Sequence, residues 1–300
     1  MKKVELGQIC TAMVTPFDRK GNLDLKKTSQ LVNYLIGHGT DSLLVAGTTG
    51  ESPTLTTEEK LALFSHTVEA AGRRVPVIAG TGGNNTRASA ELTKKAEETG
   101  VDGILLVAPY YNKPNQEGLY QHFKTVAAST SLPVIIYNVP GRSVVKISAE
   151  TMVRLSQIDN IVGVKEATGD LDQMSEIIEE TDSRFRVYTG DDGNTLPVLS
   201  IGGDGVISVA AHVIGDEMQE MIKAYRAGNP QIAAQWHRRL LPLMRELFKA
   251  PSPVPVKTAL QLQGIDVGGV RLPLIPLNEE ERLSLQRMLE ITIGRETQEL

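Results

Sequence analysis

A lysine closes an otherwise apolar run at Ile161-Val-Gly-Val-Lys165, with Glu166-Ala-Thr-Gly-Asp170 directly after it. Burial disfavours the charged form of an amine and lowers its pKa. A neutral amine attacks a ketone to give a Schiff base, an electron sink. The same lysine could instead snorkel to a rim or pair with Glu166. Other segments bear on that choice. In Tyr137-Asn-Val-Pro-Gly-Arg142 the proline and glycine force a turn that would hold Arg142 out over whatever lies beyond. Its guanidinium fork suits a carboxylate. Core packing for Tyr137 and a solvated loop charge for Arg142 are the plainer uses. Ala46-Gly47-Thr48-Thr49-Gly50-Glu51 sets two hydroxyls between glycines, where backbone can approach a ligand. Free N–H groups in such a turn can hold an anion.

Two further segments are less decisive. Ala108-Pro-Tyr110-Tyr111-Asn112-Lys113-Pro114 carries adjacent tyrosines, whose ordinary use is interface or surface packing. Tyr188-Thr-Gly190-Asp191-Asp192-Gly193 reads as a glycine-rich turn ahead of a helix. Its two aspartates have no His, Cys or third carboxylate nearby at ligand spacing. His38, His66, His122, His212 and His237 are too scattered to pair on a metal. There is no Gly-x-Ser-x-Gly and no phosphate loop, and Gly80-Thr-Gly82-Gly83 lacks the third glycine of a dinucleotide fingerprint. Together these favour a lysine Schiff-base enzyme acting on carboxylate substrates over a metal-dependent aldolase.

The elements that must position these residues alternate. Strands are expected at 9–15, 42–45, 75–79, 103–108, 133–138, 161–165, 185–189 and 205–209, all short apolar runs rich in β-branched residues. Between them apolar residues recur at three and four, as in Leu61, Phe64, Val68 and Ala71. Thr56-Thr57-Glu58-Glu59 carries a capping-box pattern. Strands apolar throughout suggest a parallel sheet covered on both faces. Eight such strand–helix units point to a (β/α)8 TIM barrel, a fold of ~250 residues whose active site lies on the loops after the strands. An open doubly wound sheet is the alternative. The barrel is expected over 1–228, its eighth helix at about 216–226. A C-terminal helical appendage follows over 229–300, broken by Pro251, Pro253 and Pro255 before a last helix near 279–293.

Gly47-Thr48-Thr49-Gly50-Glu51, Tyr110-Tyr111-Asn112, Tyr137 to Arg142 and Gly163-Val-Lys165-Glu-Ala-Thr-Gly169 occur in that order. This set resembles the 4-hydroxy-tetrahydrodipicolinate synthase (dihydrodipicolinate synthase) family. That family lies within the pyruvate-dependent class I aldolases, alongside N-acetylneuraminate lyase. The resemblance covers nearly the whole chain. It implies a lyase condensing pyruvate with L-aspartate 4-semialdehyde on the route to diaminopimelate and lysine, without a cofactor or metal. Lys165 would form the imine and Tyr137 act as general acid/base. Thr48 and Tyr111 would complete a hydroxyl relay. Thr49 would bind the pyruvate carboxylate and Arg142 that of the semialdehyde. The backbone at Gly190 and Ile207 would shape the pocket. Tyr111 would enter a neighbouring subunit's site, within a homotetramer built as a dimer of dimers.

Arg142 separates this from the sugar-acid lyases of the superfamily, which generally lack it. An N-acetylneuraminate or 2-keto-3-deoxy sugar-acid lyase is the first rival, and a non-catalytic small-molecule-binding relic the second. Family members inhibited by lysine bind it in a cleft at the dimer interface. Ser52, Asn84 and Tyr110 match that cleft. Thr57 and Lys60 stand where histidines are used, Pro53 replaces a small residue and Ala88 replaces a glutamate. Losing a carboxylate and gaining an ammonium disfavours a cationic effector, so feedback inhibition by lysine is expected to be weak or absent.

Composition fits this picture. With 31 basic and 36 acidic side chains in 300 residues, the formal charge of −5 makes a poor nucleic-acid binder. No run reaches the ~18 apolar residues of a membrane span. The first residues, Met-Lys-Lys-Val-Glu-Leu-Gly-Gln, lack the apolar core of a signal peptide. Cys10 is the only cysteine, so no intrachain disulfide forms. A cytoplasmic protein is expected.

Overall fold

The structure is a computed structural model and describes residues 5–294. Eight parallel strands close into a barrel in sequence order. They are β1 (Ile9–Ala12), β2 (Ser42–Val45), β3 (Val77–Gly80), β4 (Gly103–Val107), β5 (Val134–Asn138), β6 (Ile161–Glu166), β7 (Arg186–Thr189) and β8 (Gly205–Ser208). β1 pairs with both β2 and β8, which closes the ring and excludes the open sheet. The (β/α)8 expectation is therefore met.

Each strand runs apolar because it has two faces to bury. On β5, Val134 and Ile136 face the helices, while Ile135 and Tyr137 join an inner cluster with Cys10, Leu44, Ile78, Leu105 and Ile207. Pro76 has no N–H, so β3 begins at Val77 rather than 75. β1 ends at Ala12 rather than 15; beyond it the Val14 N–H goes to His212 Nε2 instead of a neighbouring strand. The inner face is closed on the N-terminal side, where the Tyr188 hydroxyl donates to the Gly7 carbonyl at 2.9 Å.

The helices that cover the barrel are α1 (Leu25–Gly37), α2 (Thr57–Ala71), α3 (Thr86–Glu97), α4 (Gln116–Ala127), α5 (Pro140–Ser143), α6 (Ala149–Ser156), α7 (Leu171–Glu180), α8 (Thr195–Ser200) and α9 (Ala211–Arg226). α2 starts with the expected capping box: Glu59 N–H donates to Thr56 Oγ1 at 3.2 Å, and Thr56 N–H to Glu59 Oε2 at 2.9 Å. α9 begins five residues earlier than expected. Its first turn is separated by a non-helical Ile214, φ −138°. The next residue must be glycine, since a Cβ on Gly215 would lie 2.2 Å from the His38 carbonyl.

Three more helices follow: α10 (Pro230–Glu246), α11 (Val254–Leu262) and α12 (Glu279–Ile293). α10 lies along α9 and buries Ala233, Leu240, Leu243 and Met244. The expected last helix near 279–293 is α12. The ends of the expected regions, 1–4 and 295–300, lie outside the described residues.

Candidate active site

Lys165 sits on the inner face of β6 at 5% exposure. Strand register sets it opposite Tyr137 on β5 and Tyr188 on β7. Its Nζ lies 4.3 Å from the centroid of the Tyr137 ring. Alternation sends the next residue the other way. Glu166 turns outward and accepts from Asn138 Nδ2 at 3.0 Å, Gln173 Nε2 at 3.1 Å and Thr168 N–H at 3.2 Å. Burial still holds its carboxyl above the usual range, against the pull of those hydrogen bonds. The Lys165–Glu166 pair is thereby ruled out. Among the described residues Lys165 makes no ion pair.

Gly190 follows β7, and its N–H donates to the Glu166 carbonyl at 2.7 Å. A Cβ there would stand 2.9 Å from Lys165 Cε and from Ala167 Cβ. Glycine is the residue that leaves the lysine stem its room. Ile207, on β8 opposite Cys10, is 1% exposed and forms part of the same inner wall.

Two cavities lie beside these residues and share Tyr137, Val139 and Arg142. The first, about 440 Å³, is lined by Thr48, Ser52, Lys60, Asn84 and Tyr110 as well. The second, about 870 Å³, lies under α10 and is lined by Ala167, Gly190, Asp191, His237, Arg245 and Phe248. Arg142 is carried by α5, a single turn started by Pro140, and is exposed at the junction of the two. Thr48 is half-buried and lines the first cavity, while Thr49 beside it is buried at 4%. Tyr111 is not brought to this site. It is 88% exposed, with a left-handed φ of +73°.

The turn that bears the threonines is strained and braced. Ala46 and Glu51, on either side of it, have φ +52° and +54°. A left-handed conformation costs a non-glycine residue roughly 1–2 kcal/mol. Such strain persists where surroundings over-determine it. Here Thr15 Oγ1–H donates to the Gly50 carbonyl at 2.6 Å. Glu51 is buried and accepts from Lys257 Nζ and the Arg271 N–H, at 2.7 and 2.9 Å.

Two more buried polar groups hold the mouth together; the sequence offered them only as residues unsuited to a metal site. Asp192 accepts from the Ser208 hydroxyl and from the N–H groups of Val209 and Ala210, tying the loop after β7 to that after β8. Burial raises its carboxyl to about 6. His212 receives the Val14 N–H on Nε2 at 3.1 Å and donates Nδ1–H to the Val209 carbonyl at 2.8 Å, which assigns its neutral tautomer. No cluster of three or more His, Cys, Asp or Glu is placed to hold a metal among the described residues.

The residues the sequence singled out thus converge on one end of the barrel, with Tyr111 outside it. The residues lining the first cavity include those expected at a lysine-effector cleft: Ser52, Thr57, Lys60, Asn84, Ala88 and Tyr110. Lys60 is half-buried and makes no ion pair among the described residues, and desolvation lowers its pKa.

Comparison with known proteins identifies the family. Residues 5–292 match the model of the dihydrodipicolinate synthetase family. The chain is 63% identical over 286 residues to a 4-hydroxy-tetrahydrodipicolinate synthase of Bacillus velezensis, covering 95% of this chain and 99% of that one. A crystal structure of a dihydrodipicolinate synthase from Bacillus anthracis superposes with a TM-score of 0.95 at 61% identity, covering 96% and 99% of the two chains. Another, from Cyanidioschyzon merolae with lysine bound, gives 0.94 at 44% identity, covering 97% and 99%. The chain belongs to the dihydrodipicolinate synthetase family.

Proposed function

We infer that this barrel mouth carries out the reaction of 4-hydroxy-tetrahydrodipicolinate synthases. It is a class I aldolase-type lyase that condenses pyruvate with L-aspartate 4-semialdehyde, in the diaminopimelate route to lysine. The observation that carries the residue assignment is the buried Lys165, unpaired and 4.3 Å from the Tyr137 ring.

The chemistry follows from those groups. The Lys165 amine adds to the keto carbon of pyruvate, and loss of water leaves an imine. The imine nitrogen acidifies the methyl group, whose proton leaves to give an enamine. The enamine carbon attacks the aldehyde carbon, forming the new C–C bond and restoring the imine, and the resulting alkoxide takes a proton; the semialdehyde's amino group then adds to the imine carbon and Lys165 leaves as the free amine, closing the ring. Each proton movement needs a positioned donor or acceptor. Tyr137 serves that role. A phenol of unperturbed pKa ~10 is a weak base unless hydrogen-bonded. Thr48, and Tyr111 from a second copy, pass the proton on. Thr49 holds the pyruvate carboxylate, and Arg142 orients the semialdehyde so that its aldehyde faces the enamine. Gly190 and Ile207 shape the floor.

The exposure and backbone strain of Tyr111 support a homo-oligomer in which it completes a partner's site, with a dimer of dimers as the full assembly. Mixing a Lys165→Ala chain with a Tyr111→Phe chain should restore activity that neither has alone. We place the chain in the cytoplasm and treat 1–228 as the catalytic barrel, with 229–300 as a C-terminal helical region. Lysine is a weak effector or none, because Lys60 faces the cleft where a cationic ligand would sit.

The decisive assay pairs pyruvate with the semialdehyde and runs N-acetylneuraminate and 2-keto-3-deoxy sugar acids beside it. The semialdehyde is expected to be the preferred substrate. Arg142→Ala should lose about a hundredfold in kcat/KM for it. Cleavage of a sugar acid at higher kcat/KM would overturn the assignment.

A further inference from the structure

We propose that Glu51, Lys257 and Arg271 form a clamp by which the C-terminal region positions the Thr48-Thr49 turn for pyruvate binding. Glu51 directly follows Thr48-Thr49-Gly50 in the chain. Its side chain and that of Lys257 are 1% and 3% exposed. Both carboxylate oxygens are taken: Oε1 by Lys257 Nζ at 2.7 Å from α11, Oε2 by the Arg271 N–H at 2.9 Å from the segment before α12. Lys257 Nζ also donates to the Gly269 carbonyl at 2.7 Å, so its own direction is fixed.

The same assembly reaches the neighbouring loops. The Arg271 guanidinium donates to the Thr54 carbonyl at 2.7 Å and holds Glu59, at the start of α2, bidentately at 2.9 and 2.5 Å. Lys257 Nζ and Arg271 Cζ each lie 4.3 Å from the Phe17 ring. Phe17 belongs to the loop after β1, and its N–H donates to the Val267 carbonyl at 3.1 Å. The turn between Ala46 and Glu51, bounded by two left-handed non-glycine residues, is therefore fixed from the far end of the chain. A turn whose backbone is strained keeps its geometry only while such partners hold it. Removing one partner frees the peptide groups of Thr48 and Thr49 to relax away from the position that meets a carboxylate. Glu51, Lys257 and Arg271 touch no substrate; they are positioning residues. The C-terminal helices thereby contribute to ground-state binding of the first substrate.

This rests on the assignment of Thr49 to the pyruvate carboxylate, so Thr49→Val is run beside the clamp variants. Glu51→Gln keeps volume and removes charge; Lys257→Met keeps length and removes the ammonium. Both are read by steady-state kinetics at a temperature where far-UV circular dichroism is native. Pyruvate KM is expected to rise at least fivefold in each, while semialdehyde KM stays within twofold. The double variant should be no worse than the poorer single one, since the two act as a unit. Should either fail to fold, Arg271→Met, which removes the guanidinium's hold on Thr54 and Glu59 and leaves the Glu51–Lys257 pair, is judged by the same two constants. Pyruvate KM within twofold of wild type in the folded variants overturns the clamp. So does parallel decay of both KM values and kcat, the mark of general damage. An unchanged pyruvate KM in Thr49→Val removes the Thr49 assignment and the clamp with it. A raised one beside an unchanged Glu51→Gln removes the clamp alone.

Discussion

Two lysines in this molecule share nearly every crude property and differ in one. Lys165 and Lys257 are 5% and 2% exposed. Each Nζ lies 4.3 Å from the centroid of an aromatic ring, Tyr137 for one and Phe17 for the other. Lys257 faces the Glu51 carboxylate and the Gly269 carbonyl. Lys165 faces a phenol ring and a glycine without a Cβ. Burial alone therefore does not mark a nucleophile. What distinguishes the two is whether the fold has already used the amine's donors. The pair at Lys257 stabilises a loop; the absence of one at Lys165 leaves an amine for a keto acid.

The largest effect expected from this contrast is in turnover. Lys165→Met should lower kcat by about four orders of magnitude or more, as loss of a covalent nucleophile does. The same change should leave stability unchanged or raise it, because it exchanges a buried amine without an ion pair for an apolar side chain of similar length. Lys257→Met should do the reverse in a urea titration. Stranding the buried Glu51 carboxylate is expected to cost about 3–5 kcal/mol. Equal stability losses at the two sites would dissolve the comparison.

A third buried base sharpens it by titration. His212 is held neutral by its two hydrogen bonds, and burial lowers its pKa from 6.5 to about 4. The unfolded chain takes up a proton on the way down from pH 6.5 and the folded one does not. Stability from this group is therefore full above pH 6.5 and is lost toward pH 4, by roughly 3 kcal/mol. His122, buried and lowered to about 4 as well, acts in the same direction. Urea midpoints between pH 7 and pH 4.5 should fall in wild type, and fall less in His212→Asn.

Gly190→Ala comes next. Its methyl would press Lys165 Cε, 2.9 Å away. A displaced amine should slow imine formation about a hundredfold, seen as slower borohydride trapping in a folded protein. The smallest effect is expected at Lys60, where Lys60→Glu should raise inhibition by lysine severalfold. No change there would remove the electrostatic explanation of the cleft.

How much of this could be read in the sequence depends on how local the cause was. Strands and helices were legible because burial on two faces or one leaves a period in the letters. Lys165, Tyr137, Thr48 and Arg142 stood out because polar residues ended apolar runs, and strand ends in a barrel share one rim. The ambiguity between a Lys165–Glu166 pair and a free Lys165 needed only the alternation of a strand to resolve. The clamp was not legible: Glu51 and Lys257 are separated by 206 residues. A charge inside Val254-Pro-Val-Lys257-Thr-Ala-Leu was the available local hint. Asp192 was equally hidden, since an aspartate in a glycine-rich turn has the letters of a helix cap whether it is buried or exposed. The first turn of α9 is joined to the rest across a kink at Ile214, beside which Gly215 packs against the His38 carbonyl, a contact made across the fold.

The most direct test is reduction of the protein with borohydride in the presence of pyruvate, followed by peptide mass analysis. A reduced pyruvate adduct is expected on Lys165, dependent on pyruvate, with Lys257 and Lys60 unmodified. No adduct, or one on another lysine while Lys165 stays free, would contradict the assignment of the nucleophile.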